Sequence, residues 1–135
     1  MKNMLYSWSI CFFIIIIIDG IWLSISAPRF YKIHLADIMT ADFNYVIAFT
    51  FYLLYAFAIS YLVIMPHLAN GSSALQALVS GAILGMAAYG AYDLTNHATI
   101  KNWPAIVTVV DMAWGTFVTA ISTAITYKIM IYVNS

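Results

Sequence analysis

Glutamate is absent from this chain, and charge of either sign is scarce: charged residues make up 7% of 135 positions, against roughly 25% in soluble domains. Five basic residues face five aspartates, so there is no basic patch, and nucleic acid is excluded as a partner. Cysteine occurs once, at Cys11, which rules out an intramolecular disulfide and a thiolate metal cluster. A glycine-rich phosphate loop, a nucleophile elbow and a Ser/His/Asp arrangement are missing as well, and no residue pattern calls for a cofactor.

What is present is apolar: hydrophobic residues make up 64% of the chain, the composition of a multi-pass membrane protein whose first partner is the lipid bilayer. Four spans can be drawn, each near the roughly 20 residues that a helix needs to cross the hydrocarbon core. They run from Met4 to Ser26, Asn44 to Met65, Ala74 to Asn96 and Pro104 to Tyr132, and form one integral membrane domain. Proline marks span ends: Pro28 follows the first, Pro66 follows the second and Pro104 opens the fourth. The runs are too long for transmembrane strands and lack their alternation. Lys2, the isoleucine run and Ser24-Ile25-Ser26-Ala27 mimic a secretory signal, but Asp19 and Trp22 interrupt the apolar stretch, so the first span is read as retained.

The loops refine this picture. In the first, Tyr31, Leu35 and Ile38 stand at helical spacing opposite Lys32 and Asp37, the pattern of a short interfacial helix. In the second, Asn70-Gly71-Ser72-Ser73 reads as a turn followed by a helix start. The expected fold is an all-α, four-transmembrane-helix up-and-down bundle with both termini on one side. Arg29, Lys32 and Lys101 on one side against Lys2 and Lys128 on the other leave the orientation open, and cytoplasmic termini are the working assignment.

Function is best sought among the acids. Asp19, Asp93 and Asp111 sit inside or at the end of apolar runs, where a carboxylate costs roughly 3 kcal/mol and normally faces a bundle interior. Counting along the spans puts Asp19 and Asp111 about 10 Å below the boundary with the first and third loops, and Asp93 within about 5 Å of it. Tyr52 and Tyr55 reach a comparable depth and carry hydroxyls suited to carboxyl groups.

Helical faces bring these groups together. Gly81, Gly85, Tyr89, Asp93 and His97 recur at i,i+4 spacing, and the glycines form the Gly-x-x-x-Gly motif that lets helices approach closely, whether within the bundle or with a partner. Asp111, Gly115, Thr119, Ser122 and Thr126 share a face of the fourth span, and Asp19, Trp22 and Ser26 share one of the first. Asp19-Gly20-Ile21-Trp22 and Asp111-Met112-Ala113-Trp114 both read Asp-x-x-Trp on oppositely directed helices, a short trace of inverted-repeat architecture. Trp22 and Trp103 also fit the interfacial aromatic belt.

Three carboxylates in one dry site cannot all ionise cheaply and titrate as a set, which suits ligand capture, proton relay or acid catalysis. The structural counter-reading has Arg29, Lys32 or Lys101 snorkelling in to neutralise them. Asp93 and His97 stand at a spacing that can seat a divalent metal, with Asp19 or Asp111 completing the shell, yet no second histidine stands at ligand spacing and no metal is assigned. His34 and His67 read as solvated loop residues.

The stretch Tyr92-Asp93-Leu94-Thr95-Asn96, with Thr99, Lys101, Trp103-Pro104 and Asp111-Met112-Ala113-Trp114-Gly115, is joined by Asp19, Trp22, Phe30-Tyr31 and Phe51-Tyr52-Leu53-Leu54-Tyr55. Over nearly its whole length the chain resembles the bacterial membrane-protein family known as domain of unknown function twenty-one seventy-seven. The resemblance implies a small four-span protein of the bacterial cytoplasmic membrane and no established activity. It also implies an apolar residue at the place of His97, which weighs against metal. Asp19, Asp93, Asn96, Asp111 and Trp114 are selected both by this resemblance and by the physical argument.

The sequence therefore points to a carboxylate-lined pocket opening toward the first and third loops, taking a small polar, cationic or lipid-derived ligand. Asp19 and Asp111 are its deep anchors, Asp93 and Asn96 its mouth, and Trp22, Tyr52, Tyr55, Tyr89, Lys101 and Trp114 its further candidates. A membrane enzyme with an aspartate acid/base pair, a proton or cation pathway, and an accessory subunit packing through Gly81 and Gly85 stand as alternatives. The Cys11 to Ile18 half of the first span, wholly apolar apart from Cys11, favours a one-sided pocket over a channel.

Overall fold

The computed structural model describes every residue from Met1 to Ser135. It is all-helical, and four helices are long and apolar enough to cross a membrane: α1 (Lys2–Leu35), α2 (Tyr45–Ala69), α3 (Ala74–Thr99) and α4 (Ala105–Asn134). Short connections join them in an up-and-down bundle.

Only one of the three prolines behaves as expected. Pro104 stands at the N-cap of α4, where its missing N–H is no loss. Pro28 and Pro66 do not end helices, because a π turn accompanies each: Ala27–Tyr31 contains Pro28, and Ser60–Ile64 directly precedes Met65 and Pro66. Lys32 N–H bonds to the Ala27 carbonyl and Met65 N–H to that of Ser60, an i→i−5 pattern. Local π geometry is one way a helix absorbs the proline ring and re-satisfies its backbone; it also rotates the residues beyond. α1 therefore runs on to Leu35 and α2 to Ala69, and the expected interfacial helix is the final turn of α1, Lys32–Leu35.

The turn between α2 and α3 follows its sequence signals. Gly71 adopts φ +61°, Ser72 N–H reaches the His67 carbonyl at 3.0 Å, and Gly71 N–H reaches that of Leu68 at 3.3 Å, which closes the helix end. Ser73 and Gln76 then cap α3 reciprocally. Tyr127 of α4 donates to the Ser72 carbonyl, tying this turn to the last helix.

α3 and α4 form the closest pair. A Cβ on Gly81 would meet Thr123 Oγ1 at 2.5 Å, and one on Gly85 would meet the Gly115 carbonyl oxygen at 2.5 Å. The Gly-x-x-x-Gly face is thus consumed within the bundle, which corrects the expectation that Gly81 and Gly85 receive an outside helix. α1 packs on α4 and on α2 around a core that includes Cys11, Ile15, Ile59, Val118 and Met130. Ile17, Ile21, Leu54 and Ile83 are exposed, the outward apolar surface that lipid requires.

Candidate functional site

The acids converge at one end of the bundle through an aromatic network. Asp19 is 5% exposed; its Oδ1 accepts the Trp114 indole N–H at 2.7 Å and its Oδ2 accepts the Tyr52 hydroxyl. Asp111 Oδ1 accepts the Tyr31 hydroxyl at 2.5 Å, and Trp22 Nε1 stands 3.5 Å from the same hydroxyl. Trp22 and Trp114 stack, with ring centroids 4.3 Å apart and planes 10° apart. The two Asp-x-x-Trp segments therefore meet across the bundle: each tryptophan rests on the other, and each serves the opposite helix's aspartate, Trp114 directly and Trp22 through Tyr31. Trp22 is part of this network instead of an interfacial belt.

Asp93 differs from its neighbours. It is fully buried, its carboxyl lies within hydrogen-bonding reach of that of Asp111, and no N–H or hydroxyl donor reaches either of its oxygens. Buried polar atoms are nearly always partnered, and a pair of carboxyls at close range takes up a proton or a cation. Asp111 is only half-buried, so the pair meets the surroundings on its side.

Two tyrosines complete the inner wall. Tyr55 is buried and hydrogen-bonds Thr119 Oγ1 at 2.7 Å. The Tyr89 ring lies over Gly115, where no side chain fits beneath it, and faces Tyr55 at a centroid distance of 6.2 Å. Asn96 is half-buried beside Tyr92 at the edge. Lys101 is exposed, as are Arg29 and Lys32, and the donors to Asp19 and Asp111 are tyrosine and tryptophan. The cations do not neutralise the site.

Around the site three further ring side chains find partners of their own. His97 is exposed and points Nδ1 toward Thr108 Oγ1 at 3.3 Å, and no group of three His, Cys, Asp or Glu residues comes together to hold a metal ion. Trp103 is buried and donates to Thr108 at 3.0 Å, so it is no belt residue. His67 is half-buried within α2 and bonds Ser80 at 2.9 Å. Two clefts, of about 150 Å³ beside Trp8 and Phe12 and about 710 Å³ beside Asn3 and Met65, lie away from the acids. Neither coincides with the pocket expected at the acids.

Tyr31 was missed as a site residue. With a span ending before Pro28 it belongs to a loop; the π turn at Ala27–Tyr31 carries it inward instead. Its spacing from Asp19 gives no signal by itself, since the π turn breaks the regular helical count.

A family model described as predicted membrane protein, DUF2177, matches residues 4–128. The chain belongs to that family. No curated protein and no solved structure matches it. Within the DUF2177 family the description goes no further than membrane residence, which the four long helices share.

Proposed function

We propose that the carboxyl cluster binds a small cationic ligand, an amine or ammonium group of a free metabolite or a lipid headgroup, near one membrane face. The observation that carries this reading is Asp93: both oxygens are buried, and the only group within hydrogen-bonding reach of them is a second carboxyl, that of Asp111. An ammonium group brings three donors and a positive charge, enough to bridge two carboxyls that the protein leaves short of partners. Asp19 is satisfied by Trp114 and Tyr52, so it serves as the fixed floor, whereas Asp93 and Asp111 are the contacting pair. On this reading the chain is one membrane domain of the bacterial inner membrane, with both termini on the cytoplasmic side.

Thermal unfolding in detergent with methylammonium, ethylammonium, ethanolamine and phosphatidylethanolamine tests the proposal. A ligand at a hundred times its Kd stabilises by about 2.7 kcal/mol, and that shift should vanish in Asp93→Asn and Asp111→Asn. An identical shift in those variants, or none with any of the four compounds, would refute amine binding here.

A further inference from the structure

Below the acids, the bundle core is not wholly apolar. On α4, Thr119, Ser122, Thr123 and Thr126 are all fully buried on one face; the hydroxyls of Ser122 and Thr123 have no hydrogen-bond partner, and that of Thr126 has only the Cys11 thiol beside it. Helical serine and threonine usually bond the carbonyl one turn back, and these do not. An unpartnered buried hydroxyl is costly unless something else satisfies it, and buried water is what ordinarily does.

The column continues across the helices. Cys11 of α1 lies beside Thr126 and Ser60, and Ser60 accepts a hydrogen bond from Ser7 at 3.0 Å. Asn3, Ser7, Cys11, Ile15 and Asp19 follow one another at i,i+4 on α1, and only Ile15 interrupts the polar series. At the depth of Ile15 the other helices supply the polarity, through the Tyr55–Thr119 hydrogen bond. Asn3 lines the cleft of about 710 Å³ at the opposite face, and His67, whose Nδ1 is buried and unpartnered, stands at that end as well. From Asp111 to Thr126 the column covers about 22 Å of a hydrocarbon core of about 30 Å.

We propose that this hydroxyl column, filled by water, conducts protons between the Asp19, Asp93 and Asp111 cluster and the cleft at Asn3. Each hop breaks one O–H bond as it forms the next, so no redox partner or co-reactant takes part. Titratable groups at the acid end are the three aspartates with Tyr31, Tyr52, Tyr55 and Tyr89; along the column stands Cys11, and at the far end His67 and Tyr127. The pathway shares acids with the proposed ligand site but needs no ligand.

The test is proton uptake into liposomes holding the purified protein and a pH-sensitive dye, driven by a valinomycin-set potassium potential. Wild type should acidify the lumen faster than protein-free liposomes. The Thr123→Val, Thr126→Val double variant, isosteric and without the hydroxyls, should lose about tenfold or more of that rate while keeping the methylammonium-induced thermal shift. Ser122→Ala, a smaller change, should give a partial loss. Wild-type flux equal to that of empty liposomes, or full flux in the double variant, would overturn the pathway. Loss of the amine shift in Asp93→Asn with flux retained in the hydroxyl variants would leave the ligand reading standing alone.

Discussion

Replacing Gly85 with alanine puts the closest helix contact under direct strain. A Cβ there would lie 2.5 Å from the Gly115 carbonyl oxygen and 2.7 Å from Thr119 Cβ. Ordinary carbon contacts begin near 3.5 Å, so α3 and α4 must separate by about an ångström, and the nearest obstacle is backbone, which no rotamer change removes. Separation would also pull Thr119 from its 2.7 Å hydrogen bond with Tyr55. Two effects compete: alanine gains about 1 kcal/mol of helix propensity over glycine, and overpacking loses about 1–3 kcal/mol. With backbone as the obstacle the overpacking cost stands toward its upper end, so the net expectation is destabilisation by up to about 2 kcal/mol. Gly20 is the matched control, since a Cβ there meets nothing within 4 Å. Gly20→Ala should be neutral or up to about 1 kcal/mol stabilising. Both variants would be unfolded by sodium dodecyl sulfate titration in mixed micelles, followed by circular dichroism and tryptophan fluorescence. If Gly85→Ala matches or exceeds wild type, or shifts with the same sign as Gly20→Ala, the close α3–α4 contact is not what holds these helices together.

Three further outcomes are expected. Trp114→Phe keeps the stack on Trp22 but leaves buried Asp19 Oδ1 without its donor, at a cost of about 1–3 kcal/mol in thermal unfolding; Trp22→Phe, whose N–H stands 3.5 Å from Tyr31, should cost less. Asp111→Asn retains an acceptor for Tyr31 and offers Asp93 an amide donor, so the fold should hold while the amine response disappears, whereas Asp111→Leu should lose about 1–2 kcal/mol; equal stability of the two would contradict the network. In a Cys11→Ser background, cysteines placed at Lys2 and Asn134 should label from the same side of sealed vesicles, and labelling from opposite sides would reject a four-helix topology.

The long apolar runs by themselves determined that the chain is helical, crosses a membrane with four segments and begins its third and fourth helices at Ala74 and beside Pro104. Segment length, scarce charge and local capping are properties of adjacent residues, so they are readable without tertiary information. The same counting brought the three aspartates to one end of the bundle. Tertiary structure alone decided their partners. Pro28 reads as a helix end because a proline ring disfavours ordinary helix geometry, and only the packed bundle shows the π turn that continues α1 and brings Tyr31 to Asp111. Lys101 and Arg29 could have neutralised the acids by charge, yet the indole and phenol groups reach them first, since they come from helices already packed against the site. The polar column was also hidden: the Phe12 to Ile18 half of α1 is wholly apolar, and its polar complement comes from α2 and α4. Which helix supplies a missing hydroxyl depends on how the faces rotate and meet, and no count along a single span contains that.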